Sequence, residues 1–233
     1  MNSDDFLDYY NRIDLFLKKS GNHDPETSFS QKVKKSSNAV VKRFKDDLLS
    51  FGELRNAIVH NPKIDGRAIA EPHIEIVTKI KELYEFITNP KKVTPRFQFE
   101  VFGANENDYI NDILIAMRER SYSQIPVFNE KNEVIEVVNS NTISRWLSTQ
   151  LEGNGTIITE NVKIKDLISE VEFPKNYRFI SRNTSIFEAF DFFTNQINSK
   201  QRNLDVLLIT NSGKQSEGLL GLVTIEDIAT EVK

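Results

Sequence analysis

The sequence predicts an α+β protein in two parts: an N-terminal α-helical bundle, then a strand–helix–strand–strand–helix unit that occurs twice. Three observations predict this. Apolar residues recur at helical spacing over about the first ninety residues, the period then switches to two beyond a junction rich in Pro and Lys, and the same order of elements follows in duplicate. The junction lies at residues 88–96, where Asn89-Pro90-Lys91-Lys92 and Pro95 interrupt regular structure. The expected division is therefore 1–92 for the bundle and 93–233 for the duplicated part, with repeats at about 96–150 and 162–233.

In the bundle, Phe6, Tyr9, Tyr10, Ile13, Phe16 and Leu17 mark a first helix, with Gly21 as its stop signal. A second helical region runs from Ser28 through Val33, Val40, Phe44 and Leu48. Its continuation through Phe51, Leu54 and Ile58 halts at Asn61-Pro62, because a residue before Pro disfavours helical backbone. Ile74, Val77, Ile80, Leu83, Tyr84 and Ile87 form one apolar stripe on a last helix.

Beyond the junction, Phe97, Phe99 and Val101 alternate as a half-buried strand does. The first repeat continues with a helix over 108–120, strands over 125–128 and 134–138, and a helix over 142–150 carrying Trp146, expected in the core. The second has a strand at 178–181, a helix through Ile186, Ala189, Phe190 and Phe193, strands at 205–210 and 219–224, and a helix from Ile225. Neither half alone would bury its apolar sheet face, so the two are expected to pack together. Ser185-x-x-Glu188 has the spacing of a helix capping box.

Composition narrows the function. With 39% hydrophobic residues, among them 16 Phe, the 233-residue chain can build a core. Mean hydropathy is -0.42 and no apolar run nears the roughly 20 residues that span a bilayer, so no membrane role is expected. The opening MNSDDFLDYY lacks the basic-then-apolar form of a secretion signal, and with no Cys a cytoplasmic address fits best. The absence of Cys also removes thiolate chemistry and the usual zinc sites. His23, His60 and His73 share no metal-ligand spacing, so no metal is expected. A net charge of -4 gives no global pull toward nucleic acid. The local basic stretch Lys32–Lys45 reads either as a solvated helix face or as a contact for RNA.

Met117-Arg118-Glu119 followed by Ser123-Gln124-Ile125-Pro126-Val127 resembles the middle of a CBS domain, and Gly221-Leu222-Val223-Thr224-Ile225-Glu226-Asp227-Ile228 is similar to that family's closing strand–turn–helix. The resemblance covers residues 96–233. It implies a tandem CBS pair, pseudo-symmetric, with two clefts for adenosine-containing ligands: an adenine nucleotide of the AMP/ATP class, or S-adenosylmethionine. It assigns Thr224 to the phosphate side and Asp227 to the ribose hydroxyls. The chemistry suits these types, since a carboxylate accepts two bonds from vicinal hydroxyls and a helix start favours phosphate. Thr-x-x-Asp at a helix start also reads as a capping box. In the first repeat Asn139 stands at the Thr position and Thr142 at the Asp position. A neutral Thr cannot replace a bidentate carboxylate, so one working site, centred on Asp227, is expected. Ser181 and Arg182 are candidates to line it.

Phe51-Gly52-Glu53-Leu54-Arg55-Asn56-Ala57-Ile58-Val59-His60-Asn61 resembles the signature of HEPN domains, which over residues 1–90 implies a helical bundle that dimerises. Some members are metal-independent ribonucleases and others are interaction modules. The resemblance makes Arg55, Asn56 and His60 candidate catalytic residues. A His in a last helical turn can act as general acid or base, and an Arg can stabilise a crowded phosphate. Asn56 and His60 share a face, whereas Arg55 and His60 stand roughly 140° apart on an ideal helix, so a long Arg side chain, a loosened turn or a partner subunit must join them. The other reading has Arg55 paired with Glu53 or Asp47 and His60 ending the helix. Three functions follow as expectations: a nucleotide sensor with a homodimerising bundle, a ligand-gated ribonuclease acting on RNA, and a structural CBS dimer without ligand.

Overall fold

The computed structural model describes residues 1–24, 26–61, 68–151, 161–197 and 204–232. Within these the chain falls into two compact units, Met1–Lys91 and Lys92–Lys233.

The first unit is helical. Helices α1 (Asn2–Ser20) and α5 (Ile74–Thr88) pack along each other, and α2 (Phe29–Lys35), α3 (Ala39–Arg43) and α4 (Lys45–His60) complete the bundle. Phe6, Ile13 and Leu17 of α1 meet Leu48 and Phe51 of α4 and Ile80, Leu83 and Ile87 of α5 in the buried core. Each such side chain stabilises the fold by about 1.5–3 kcal/mol on burial. The Phe6 and Phe51 rings meet edge to face at 5.7 Å, the arrangement their quadrupoles favour.

The region expected as one helix from Ser28 to Leu48 is three segments. Ser28 caps α2 in a capping box with Gln31, and Asn38 caps α3 through its side-chain oxygen and the Val41 amide. The Ser36-Ser37-Asn38 run supplies side chains that compete for backbone hydrogen bonds, which is why the helix breaks there. One member of the basic stretch is no solvated charge: Lys32 is 3% exposed, its ammonium 2.8 and 3.0 Å from the two Asp14 carboxylate oxygens.

The second unit holds two three-stranded sheets of the same design. In the first, β1 (Ala104–Asn105) runs parallel to β2 (Gln124–Phe128), which pairs antiparallel with β3 (Val134–Asn139); α6 (Ile110–Arg120) and α7 (Ser140–Thr149) complete the set. In the second, β4 (Tyr177–Ser181) runs parallel to β5 (Val206–Thr210), which pairs antiparallel with β6 (Gly221–Val223), with α8 (Ile186–Ile197) and α9 (Ile225–Ala229). Each half is thus strand, helix, strand, strand, helix. Val134 and Val137 of β3 meet Val206 and Leu208 of β5 in one buried cluster joining the sheets, and Trp146 is buried in the core of the first half at 2% exposure. Ser185 and Glu188 form the expected reciprocal cap.

Two details depart from expectation. Phe97–Val101 is not a strand. The Phe97 amide donates to the Val93 carbonyl in a turn, Phe99 donates to the Leu220 carbonyl, and the Phe99 ring is 46% exposed, so the alternation marks no buried face. The first strand of the repeat is instead the short β1. A 3-10 helix at Ile164–Glu170 packs Ile164 and Leu167 into the first core, an element the sequence pattern did not announce.

Candidate functional site

The second unit carries a cleft of about 410 Å³, within the range of small-ligand sites. Three stretches distant in sequence build it: Phe97 and Phe99, the loop Ser121–Gln124 leading into β2, and Leu222, Thr224, Glu226 and Asp227 around the start of α9. The loop is turned by Ser121, which closes α6 in left-handed conformation at φ 56° with its amide on the Arg118 and Met117 carbonyls. That turn brings Tyr122 to the cleft.

Gly221 sets the aromatic wall. A Cβ at this position would collide with the Phe97 carbonyl oxygen, so only glycine lets the Phe97–Phe99 segment lie against β6. The Phe99 amide then bonds the Leu220 carbonyl at 3.0 Å. The glycine of the closing motif is thereby explained by close approach of backbone, through a segment more than 120 positions earlier in the chain.

Thr224 and Asp227 form a full capping box. The Thr224 amide and hydroxyl both donate to Asp227 Oδ2, at 2.9 and 2.8 Å, and the Asp227 amide donates back to the Thr224 hydroxyl at 3.4 Å. The structural reading of this pair is therefore correct, yet the cleft beside it is open and both residues border it. Only Oδ2 is used by the cap. Oδ1, with two lone pairs, takes no part in it.

The other candidates lie elsewhere. Ser181 ends β4, with its hydroxyl donating to the Asn211 carbonyl and accepting from the Asn183 amide. Arg182 follows it in the same turn, its backbone bonded to Thr210 and Thr94. Neither borders the cleft, which sequence reasoning furnished with these two instead of Tyr122 and Phe99. The available signal was the Ser121-Tyr122-Ser123 run between α6 and β2, a polar connection carrying one aromatic ring.

The corresponding positions of the first repeat are occupied differently. Asn139 caps α7 through its oxygen, accepting from the Thr142 amide at 2.9 Å and hydroxyl at 3.1 Å. Its side-chain amide donates to Asp205 at 3.3 Å, and Thr142 is 1% exposed. A buried Thr presents nothing to a ribose, in line with the departure of this repeat from the motif.

In the first unit, Arg55, Asn56 and His60 come together within one chain. Arg55 Nη1 lies 3.3 Å from Asn56 Oδ1 and 3.1 Å from His60 Nε2, a contact in which the guanidinium donates and the ring nitrogen accepts. The length of the Arg side chain spans the angle that the helix puts between them. Asp47, the acid proposed as an alternative partner, is paired instead with Lys79 at 2.6 Å. Arg55 and Asn56 also border a polar concavity of about 510 Å³ with Tyr10, Asp14 and Lys32. The Tyr10 phenol is pushed up to about 12 by burial and by Asp14, against a smaller opposing pull from Arg55. Among the described residues no cluster of His, Asp and Glu could hold a metal ion, and no helix is long and apolar enough to cross a membrane.

Comparison with known proteins gives the following. Residues 99–149 match the CBS domain family. No curated relative matches the chain. Similar solved structures include a conserved CBS domain protein from Thermoplasma acidophilum, at 12% identity and a TM-score of 0.44, covering 62% of this chain and 70% of that one. Another is CBSX2 in complex with AMP, at 14% identity and 0.41, covering 60% and 95%. A third is the CBS domain of a bacterial CNNM/CorC family Mg2+ transporter in complex with ATP, at 16% identity and 0.42, covering 66% and 93%.

Proposed function

We propose that this protein is a regulatory ligand sensor in which an adenosine-containing ligand, of the AMP/ATP class or S-adenosylmethionine, binds the Thr224–Asp227 cleft of a pseudo-symmetric CBS pair. Occupancy shifts the balance between two states of the chain, and a HEPN-like helical part, acting as a homodimerisation or interaction module in the cytoplasm, reports the shift. The observation that carries this is the cleft itself: a carboxylate with an unused oxygen stands beside three aromatic rings, next to a segment that matches the CBS domain. The rings offer stacking surface to a purine, and Oδ1 of the carboxylate, with two lone pairs, offers acceptance to vicinal hydroxyls.

Titration calorimetry with AMP, ATP, adenosine and S-adenosylmethionine tests the reading. Binding by wild type and its loss in Asp227→Ala support it. If no compound binds, the sensor reading is wrong and that of a structural CBS dimer without ligand is favoured. Mass in solution with and without ligand tests the coupling.

A second reading, a ligand-gated and metal-independent ribonuclease, is favoured by the 3.1 Å approach of Arg55 to His60. Here His60 would take or give the proton of a ribose hydroxyl while Arg55 stabilised the crowded phosphate. Since Arg55 now occupies the acceptor nitrogen of His60, the phosphate would draw the guanidinium away and free the ring. Incubation with single-stranded and structured RNA in chelator decides this. Cutting that is abolished by His60→Ala supports it, and no cutting, or equal cutting by the variant, removes it.

A further inference from the structure

We infer that the Asp227 cleft selects adenosine compounds whose 5′ substituent is uncharged or positive, and discriminates against 5′-phosphates. This rests on the proposed function and names the ligand class within it. Among the described residues, ten border the cleft, two of them carboxylates, Glu226 and Asp227, and none of them a lysine or arginine. The two nearest arginines in sequence are engaged elsewhere. Arg96 pairs with Glu231 at 2.8 Å, and the Arg120 guanidinium sits 4.8 Å from the centre of the Phe102 ring.

A phosphate site is ordinarily furnished with cations and with freed amides at the start of a helix. Here the cations are absent from the described lining, and one of the amides at the start of α9, that of Asp227, already donates to the Thr224 hydroxyl. Helix α9 has five residues, too short to supply an appreciable dipole field. What the cleft presents instead is two carboxylates and the rings of Phe97, Phe99 and Tyr122. Carboxylates and aromatic faces are the two kinds of group that attract a cation. Glu226 is exposed and takes no part in the capping box, so its charge is left to act on whatever occupies the cleft.

The test is a charge ladder on the intact protein: ATP, AMP, adenosine and 5′-amino-5′-deoxyadenosine, whose 5′ groups run from strongly negative to positive on one nucleoside. Dissociation constants are measured by calorimetry at low and at high salt. A partly exposed charge contact is worth up to about fivefold, so two carboxylates facing a phosphate should weaken AMP by about tenfold or more against adenosine. The aminonucleoside should bind at least as tightly as adenosine. Glu226→Gln, a surface change that spares the cap, should narrow the gap between AMP and adenosine by about threefold, as should high salt. If AMP or ATP binds as tightly as adenosine, the charge inference is overturned while the adenosine site stands. If none of the four binds, the site itself is lost and this inference with it.

Discussion

The proposed function gives Asp227 two duties that substitution can separate. As a cap it holds the start of α9, with Oδ2 accepting from both the Thr224 amide and hydroxyl. As a ligand group it would accept from the two ribose hydroxyls. Asp227→Ala removes both. Loss of the cap costs about 1 kcal/mol, which for the roughly 140-residue second unit is about 3–5 °C in Tm. Loss of two charge-assisted bonds, each about 1.5 kcal/mol at the low end, costs about 3 kcal/mol of binding, or about 150-fold in Kd. Asp227→Asn keeps an oxygen for the cap but is neutral and offers one acceptor where the carboxylate offers two. Its Tm should fall by less, while its Kd still rises about tenfold. Thr224→Val deletes the hydroxyl and should lower Tm as Asp227→Ala does, with a much smaller change in Kd. Adenosine binding is measured by calorimetry and Tm by far-UV circular dichroism without ligand. The reasoning is refuted if Asp227→Ala lowers Tm while Kd stays within a factor of two of wild type, because the carboxylate is then a cap alone.

Three further expectations come from the structure. Gly221→Val places a branched side chain where the Phe97 carbonyl lies, so it should displace the aromatic wall and weaken adenosine binding about tenfold or more. Unchanged affinity would show that this wall does not touch the ligand. In the first unit, Asp14→Ala strands the ammonium of Lys32, whose side chain is 4% exposed against 34% for Asp14. The exposed partner puts the cost at the low end for a broken buried pair, about 2–3 kcal/mol by urea unfolding, and Lys32→Met added to Asp14→Ala should recover at least half of it. Finally, Tyr10 and Tyr177 ionise only near about 12, in both cases chiefly because burial disfavours the phenolate, with Asp14 and Glu136 respectively adding to it. A raised folded value means that their contribution is fully present below the unfolded value of about 10 and is lost as pH climbs from there to about 12. Ultraviolet titration of the 6 tyrosines should show two late ones whose ionisation coincides with alkaline unfolding, and six equivalent tyrosines near pH 10 would refute it.

The fold was legible where the chain obeys one local period. The helical stripe of α5 and the apolar runs of β2 and β5 announce themselves, because each buries one face or two against its own unit. Legibility failed where local competition or distant contact decides. Nothing in the spacing of Val33, Val40 and Phe44 discloses that Ser36 to Asn38 prefer to bond the backbone and split the helix. Phe97 and Phe99 alternate like a strand, but their conformation is set by Val93 on one side and Leu220 on the other. The site divides the same way. Thr224 and Asp227 stand three positions apart in one motif and could be read together, whereas Tyr122 joins them only through a left-handed turn at Ser121 and the packing of two repeats. The Arg55–His60 contact was hidden for a simpler reason: helical angles describe where side chains leave the backbone, and a guanidinium ends several bonds away.

The capping box and the proposed ligand site are compatible as one device rather than rival explanations. A carboxylate on an exposed five-residue helix would ordinarily sample several rotamers, and fixing it on binding would cost about 0.5–1.5 kcal/mol. The two bonds from Thr224 already fix it. They also leave Oδ1 as the oxygen with acceptor capacity to spare, so the cap determines which atom would meet the proposed ligand. The first repeat makes the contrast: Asn139 caps α7 with its oxygen and turns its amide to Asp205, while the residue three positions on is a Thr with 1% exposure. Both repeats keep the cap because both helices need a start. Only the second puts a charged, half-used side chain at its third helical position, and it is there that the cleft stands open.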